Sequence, residues 1–419
     1  MLLLPIFFYI LLYAPFLGIA PYHDGSKEFT NSYNLYSGHY LSNWLPFHPP
    51  FKLILSSIFF SFFGLDSYTY SGFFLGIAGI VVLFLIAKKL FDRKVAIWSA
   101  LFLATSGLYL SNGIFSMTDF VVAVLVLLSF YCYITSYFWL YAIIASFAVL
   151  TKETALVFPM SVFIVDLWVH KKLRFSQLLP FVSFLGWLWF LFKTGHQTWN
   201  DWNFSSTAKQ GSLYTVIHNL LTFQFLNKYA YENWRHLFIF NYNWFFWLLA
   251  IVGIIYVFRQ GEKLKNRVIF LILSLYTFIY IIAVLSFQTY PITRYILPLL
   301  PFVYLFAGLG FATILNAIQG KYLKHWVVVI VVLISITQLF VSYDPISNFF
   351  WDKTNFLGQE VYTSKLGGLD AMTYNMQFLF FAQKRDQLIR KGDCDKIPDL
   401  EYRPHIFTIL HIPLCPNES

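Results

Sequence analysis

The chain has 419 residues, of which 58% are hydrophobic and only 12% are charged, whereas an ordinary soluble domain carries roughly 25% charged residues. The mean hydropathy of +0.62 excludes a soluble globular domain and indicates a protein that crosses a lipid bilayer several times. The formal net charge of +9 does not predict a nucleic-acid partner, because the basic residues form short clusters between apolar stretches, where they set membrane orientation.

Apolar stretches long enough for a transmembrane helix, which needs roughly 20 residues, recur about eleven times. The first lacks the basic segment that opens a signal peptide, so it is predicted to be a membrane span. The stretches lie near residues 3–20, 68–87, 95–111, 117–135, 137–150, 154–169, 177–193, 243–258, 268–287, 294–315 and 326–342. A further apolar run at 51–65 has only about 15 residues, which is typical of a re-entrant or interfacial helix.

The position of the run at 51–65 decides the topology. If it lies along the membrane interface, all the main basic clusters emerge on one side, which the positive-inside rule identifies as the cytoplasm. These clusters are residues 88–94, 170–175, 259–267 and 321–325. The opposite, extracytoplasmic face then receives a first outer loop at 21–66, a second at 194–242 and the tail from 343. A full crossing at 51–65 would place four basic clusters outside, so we reject it.

The composition divides the chain into a transmembrane domain, 1–342, and a small extracytoplasmic C-terminal domain, 343–419. Helical periodicity at 369–392 and a strand pattern at 405–412 predict a mixed α/β fold for the tail. Cys394 and Cys415 both fall in this tail, where an oxidising environment would allow a disulfide. Two free cysteines in a reducing environment are the alternative. Cys132 lies within a span and is predicted to be a small buried residue.

Two acids follow the first span, in the sequence "HDGSKEF". Asp24 lies a few residues beyond the membrane exit, and Glu28 follows four residues later. Partial desolvation at the lipid surface raises the basicity of a carboxylate, which suits it to accept a proton from an alcohol. The alternative is a hydrated loop acid that only caps an interfacial helix.

Further ionisable residues stand at the ends of later spans, all on the predicted outer face. They are Asp119, Lys152, Glu153 and Arg294. Such residues cost about 2.5 to 3.5 kcal/mol at a helix centre, so they are usually paired or functional. Each has a structural alternative: a helix cap for Asp119, a local ion pair for the Lys-Glu step, and snorkelling to the headgroups for Arg294. Their convergence on one surface favours a site in which cations hold a lipid phosphate and a carboxylate activates an acceptor hydroxyl.

The motifs, in chain order, resemble the GT-C membrane glycosyltransferases. They are the acid after the first span, "GHY", "HPPF" leading to "FFG", "KKLFDRK", "SMTDF", "LTKETALVFP" and "TRYILPLLPFVYLFAGLGF". The nearest branch is that of the protein mannosyltransferases and the lipid A aminoarabinose transferases. The resemblance covers roughly residues 1–345. No single motif is specific, whereas their order is.

The resemblance implies an all-α GT-C fold that transfers a sugar, with inversion, from a polyprenyl-phosphate donor to an acceptor on the outer face. Asp24 matches the catalytic acid, Asp119 the second acid near the outer face, and Lys152 and Arg294 the donor-phosphate contacts. Glu28 would contact the acceptor or serve as a second acid. Residues expected to line the site are His48, Glu153 and Tyr295.

The sequence departs from many relatives at one point. They carry an Asp-Glu pair, whereas here Asp24 is followed by Gly25 and the next acid is Glu28. Adjacent carboxylates hold a divalent cation better than acids four residues apart. A Mg or Mn ion bridged by Asp24 and Asp119 is therefore left open, and no other cofactor is expected.

Several properties stay open at this level. The second outer loop is rich in Trp, Tyr, Asn and Gln, which suit carbohydrate binding and interfacial belts equally. The acceptor is a protein, a glycolipid or a cell-surface glycan, and the membrane is the plasma membrane or, in a eukaryote, the endoplasmic reticulum. A transporter or a non-catalytic component of a glycan pathway is the alternative to an enzyme.

Overall fold

The computed structural model describes most of the predicted membrane domain and part of the tail. The described residues are 2–21, 24–38, 49–65, 68–171, 174–194, 221–223, 228–260, 267–286, 293–342, 344–349, 352–356, 359–363 and 374–391. The strand predicted at 405–412, the two tail cysteines and His48 lie outside them, as does most of the second outer loop.

Helices dominate the described residues. In the first half of the chain they are α1 (Leu3–Tyr13), α2 (Asp24–Tyr36), α3 (Phe51–Phe63), α4 (Tyr68–Leu90), α5 (Arg93–Ala104), α6 (Gly107–Ile114), α7 (Thr118–Ile134), α8 (Phe138–Val149), α9 (Val157–His170) and α10 (Leu179–Thr194). In the second half they are α11 (Lys228–Phe238), α12 (Asn243–Gln260), α13 (Arg267–Leu285), α14 (Leu300–Ala317), α15 (Lys321–Phe340), α16 (Pro345–Phe349) and α17 (Met376–Lys391). Short 3-10 turns precede α9, α10 and α14.

Each of the apolar stretches predicted as spans coincides with helix. Among the described residues, five helices have the length and composition to cross a membrane, namely α4, α9 with its preceding turn, α13, α14 and α15. The other predicted spans correspond to shorter apolar helices or to the bent pair α5 and α6. A membrane protein with several apolar helices is therefore confirmed, whereas the number of eleven crossings stays a prediction.

The stretch 95–111, predicted as one span, is instead two helices, α5 and α6, that meet at 55°. The break falls at Thr105 and Ser106, where the Ser106 hydroxyl accepts a hydrogen bond from the backbone N–H of Tyr109 and caps α6. A side chain that accepts a hydrogen bond from a free N–H in the first turn of a new helix lowers the cost of starting that helix.

Helix α3, in the run whose position decides the topology, has 13 residues. A helix of this length falls short of the roughly 20 residues of a span, as do several helices within the predicted spans. One face buries Leu53 and Phe60, whereas Ile58 and Phe62 are exposed on the other. Phe60 packs with Phe29 of α2 and with Tyr68 at the start of α4, so α3 is fixed to both of these helices. Its placement at the interface stays a prediction.

The core of the bundle includes α7, nearly all of whose residues are buried, and α14, which packs between α12 and α5. Backbones meet closely at Gly253 and Gly310: a Cβ on Gly310 would lie 1.9 Å from the Leu249 carbonyl oxygen. Small residues allow membrane helices to approach in this way. The packing fixes the N-terminal ends of α7 and α14, where two of the predicted site residues stand.

The tail contributes a hairpin and a helix to the described residues. Strands β1 (Asp352–Phe356) and β2 (Gln359–Thr363) pair antiparallel, with Asp352 opposite Thr363. The helix predicted over 369–392 is found as α17, and it packs on the membrane bundle through α6 and α15. A separate mixed α/β domain at 343–419 stays a prediction.

Candidate active site

Three of the predicted site residues converge on one carboxylate. The Lys152 Nζ lies 2.7 Å from Asp119 Oδ1, and the Arg294 Nε lies 3.2 Å from Asp119 Oδ2. All three residues are buried: Lys152 is 8% exposed, Asp119 2% and Arg294 7%. Two cations contact one anion, so the described side chains of this cluster carry an excess of positive charge inside the protein. An anionic ligand would complement that excess.

A tight turn sets Asp119 in place. Helix α6 ends in a Schellman motif, in which Met117 N–H donates to the Asn112 carbonyl and Ser116 N–H to the Gly113 carbonyl, both at 2.9 Å. Ser116 takes the left-handed conformation, with φ of 49°, that this motif usually assigns to glycine. Helix α7 then starts at Thr118, and Asp119 stands in its first turn without capping it. The capping alternative for Asp119 is therefore wrong.

Lys152 reaches Asp119 from the connection between α8 and α9. Its backbone is extended, with φ of −158° and ψ of 139°, and a 3-10 turn begins directly afterwards at Glu153. The ammonium group also lies over the ring of Tyr295, 4.7 Å from the centroid, a favourable cation–π arrangement. The structure thus brings Tyr295 to the cluster. Lys152 makes its described ion pair with Asp119 rather than with Glu153.

Arg294 lies in the 3-10 turn Thr293–Ile296 that precedes the N-terminal end of α14. Its guanidinium does not snorkel to the surface, since it is buried between Asp119 and the C-terminal segment. The Nη1 group donates to the hydroxyl of Tyr374 at 3.2 Å. No sequence pattern indicates Tyr374, because a contact across 80 residues leaves no local signal.

A second buried network lies beside the first. Glu28 of α2 accepts from the ammonium of Lys52 and from the hydroxyl of Thr118, and Lys52 also donates to the Tyr68 hydroxyl at 2.8 Å. Thr118 immediately precedes Asp119, so the two networks meet at the start of α7. The carboxylate of Glu28 is engaged by these groups, which favours a positioning role over that of a freely available acid. Lys52 was missed because a lysine at the start of an apolar helix is typical of an interfacial anchor.

The glycine after Asp24 has a steric cause. A Cβ on Gly25 would lie 2.4 Å from the carbonyl oxygen of Phe115, in the turn before α7. The first turn of α2 is therefore packed directly against the turn that positions Asp119, and no side chain fits at position 25. Asp24 is the first residue of α2, one helical turn before Glu28; its side chain lies outside the described atoms.

One more residue near the cluster escaped the sequence analysis. His236, in α11, is buried, and its Nδ1 lies 2.5 Å from the hydroxyl oxygen of Thr293, the neighbour of Arg294. Burial, aided by the nearby Arg235, lowers the pKa of His236 to about 3. The imidazole is therefore neutral at physiological pH and acts as a hydrogen-bonding group. Through it, the end of the second outer loop contacts the arginine turn.

The described residues contain no group of three His, Cys, Asp or Glu side chains that could hold a metal ion. Asp119, one of the two expected ligands, already has a cation on each carboxylate oxygen. The side chain of Asp24, the other expected ligand, lies outside the described atoms, so a bound Mg or Mn ion stays a prediction. Cys132 is buried in α7 with a free thiol, as predicted, and the disulfide between the tail cysteines stays a prediction outside the described residues.

No protein-family model and no curated protein matches the chain. Solved structures do. The chain is similar to ArnT, an aminoarabinose transferase, from Cupriavidus metallidurans in the apo state, with a TM-score of 0.55 and 14% identity over 79% of this chain and 62% of that one. For ArnT bound to undecaprenyl phosphate the TM-score is 0.54 and the identity 15%, over 94% of this chain and 73% of that one.

A third similar structure is the archaeal oligosaccharyltransferase AglB from Archaeoglobus fulgidus, in complex with an inhibitory peptide and a dolichol-phosphate. Here the TM-score is 0.53 and the identity 12%, over 80% of this chain and 54% of that one. The chain thus spans less than two thirds of apo ArnT and about half of AglB. Both are GT-C glycosyltransferases. At these identities the likeness concerns the fold, and it confirms the resemblance that the ordered motifs indicated: the chain has the GT-C fold.

Proposed function

We propose that this protein is an integral membrane glycosyltransferase that moves a sugar from a polyprenyl-phosphate donor to an acceptor hydroxyl on the extracytoplasmic face. The observation that carries the proposal is the buried Lys152–Asp119–Arg294 cluster, with two cations around one carboxylate. A fold alone does not assign an activity, but such a cluster at the outer helix ends suits a lipid phosphate. The similar structures that contain undecaprenyl phosphate or dolichol-phosphate support the same choice.

In the proposed reaction the acceptor oxygen attacks the anomeric carbon of the donor sugar, and the bond from that carbon to the phosphate oxygen breaks. Polyprenyl phosphate leaves with the electron pair, and the configuration at the anomeric carbon is inverted. Asp24 accepts the proton of the acceptor hydroxyl as general base. Lys152 and Arg294 stabilise the charge that develops on the leaving phosphate, and Asp119 holds both cations in place.

The distribution of charge supports an enzyme over a transporter. Secondary transporters bind substrate near the bilayer midplane, at discontinuous helices. Here the three charged residues of the cluster stand in the first turn of α7 or in the connections before α9 and α14. The acceptor, whether protein, glycolipid or glycan, and the membrane, plasma membrane or endoplasmic reticulum, follow from no described residue. A role for Mg or Mn is a separate question that chelation answers.

The test is release of free polyprenyl phosphate by the purified protein in lipid, from a panel of synthetic polyprenyl-phosphate sugars. Each donor is assayed with and without a crude membrane extract as acceptor source, and with and without EDTA. We expect release that needs both the extract and Asp24, with the Asp24→Asn variant as control. No release from any donor, while the protein stays folded, would overturn the proposal.

A further inference from the structure

The C-terminal segment 374–391 docks on the outer end of the bundle next to the charged cluster. The ring of Phe380 packs on Phe16, with the centroids 5.2 Å apart, and Asp386 Oδ2 accepts a hydrogen bond of 2.7 Å from Ala20 N–H. Both bundle residues lie directly after α1. The tail helix α17 is therefore tied to the exit of the first span, immediately before the first outer loop.

The residues before α17 are fixed from the other side. Asn375 donates to the Ser342 hydroxyl at 3.0 Å, just beyond α15, and its side-chain oxygen accepts from Phe378 N–H at 2.9 Å. The latter bond satisfies a donor in the first turn of α17. The Asn375 side chain thus joins the start of α17 to Ser342 at the residue next to Tyr374.

Tyr374 connects the docked C-terminal segment to the charged cluster. Its side chain is 0% exposed, and its hydroxyl oxygen accepts from Arg294 Nη1 at 3.2 Å, while Arg294 Nε contacts Asp119. A guanidinium is planar and donates in a fixed fork. Partners on both Nε and Nη1 therefore constrain the orientation of the plane.

We propose that Tyr374 is a positioning residue that holds Arg294 in the orientation required to bind the donor phosphate, so that the C-terminal segment completes the active site in the same chain. The proposal rests on the proposed function, since it assigns a role to Arg294 toward a lipid-linked phosphate. It adds that the tail, which lies beyond the sequence motifs at 1–345, contributes to donor binding.

The experiment compares Tyr374→Phe with Tyr109→Phe in the polyprenyl-phosphate release assay. Tyr109 is a matched control, because its buried hydroxyl donates to the Gly76 carbonyl at 3.2 Å within the bundle and has no described contact with the cluster. A hydrogen bond to a charged group is worth enough for about a tenfold change in binding. We expect KM for the donor to rise about tenfold in Tyr374→Phe and to stay unchanged in Tyr109→Phe.

A purely structural role for Tyr374 would instead lower the active fraction and leave KM unchanged. Phe380→Ala, which loosens the tail at Phe16, provides the second measurement. Phe380→Ala alone should raise KM. Combined with Tyr374→Phe it should raise KM little further, because both changes act through the contact between Tyr374 and Arg294. Unchanged KM in Tyr374→Phe, or full additivity of the two changes, overturns the inference while leaving the proposed function intact. Absence of turnover in the wild type overturns both.

Discussion

Two buried lysines are expected to respond in opposite ways to replacement by Met. Lys152 contacts Asp119 and Lys52 contacts Glu28, and Met keeps most of the aliphatic stem in each case. The variants differ in the charge left behind. Lys152→Met leaves Asp119 paired with Arg294 at 3.2 Å. Lys52→Met removes the cation from a buried carboxylate.

The expected magnitudes follow from these contacts. A buried ion that loses its partner costs about 3 to 5 kcal/mol, so Lys52→Met should lower the free energy of unfolding by that amount. Lys152→Met should change it by less than about 1 kcal/mol, because one anion and one cation stay together. For ligand binding the order reverses. Loss of one charge-assisted contact to phosphate costs about 1.5 to 3 kcal/mol, which weakens the donor about 10- to 100-fold.

The assay is thermal unfolding of the wild type and both variants in the same lipid nanodiscs, with and without polyprenyl phosphate. A ligand that binds only the folded protein raises its unfolding temperature, so the lipid should stabilise the wild type. We expect Lys152→Met to unfold near the wild-type temperature without ligand and to gain little from it, and Lys52→Met to unfold at a much lower temperature. Equal destabilisation of the two variants, or full stabilisation of Lys152→Met by the ligand, would refute the reasoning.

Three further outcomes are expected. Asp24→Asn should lower turnover about 10²- to 10⁴-fold, the usual contribution of a general base, and leave donor binding intact; unchanged turnover would remove Asp24 from the reaction. Gly25→Ala should destabilise the protein by about 1 to 3 kcal/mol and slow turnover, because its Cβ would meet a backbone carbonyl at 2.4 Å. Gly186→Ala is the neutral control, since no atom lies within 4 Å of the added Cβ. Burial raises the pKa of Asp386 from 3.8 to about 6, so the folded state binds more protons than the unfolded state, and docking of 374–391 should weaken as pH rises from about 4 to about 6. Hydrogen exchange of that segment, corrected for intrinsic rates, measures the change, and a pH dependence that persists in Asp386→Asn would contradict it.

The membrane helices could be predicted because long apolar runs have few alternatives in a bilayer. The break between α5 and α6 could not, since Thr105 and Ser106 differ little in polarity from other small residues within the spans. What starts α6 there is a cap formed by the Ser106 hydroxyl, and its geometry becomes visible only when the helices are in place.

The three charged residues of the cluster could be predicted from the sequence, but the neighbouring residues Lys52 and Tyr374 could not. Asp119, Lys152 and Arg294 stand out in the sequence because ionisable groups are rare in apolar surroundings. Lys52 does not, since its partner Glu28 lies 24 residues away and nothing in the sequence pairs them. Tyr374 is one of 28 tyrosines, and only the packing of the tail distinguishes it.

Two consecutive residues at the start of α7 belong to two different networks. Thr118 contacts Glu28, and Asp119 contacts Lys152. Removal of one residue from the turn 115–117 would bring Asp119 to the position of Thr118, directly against the carboxylate of Glu28. It would also take Asp119 away from Lys152 and Arg294. The length of this three-residue turn is therefore as tightly constrained as the identity of the charged groups, and insertions or deletions there should be tolerated far less than substitutions.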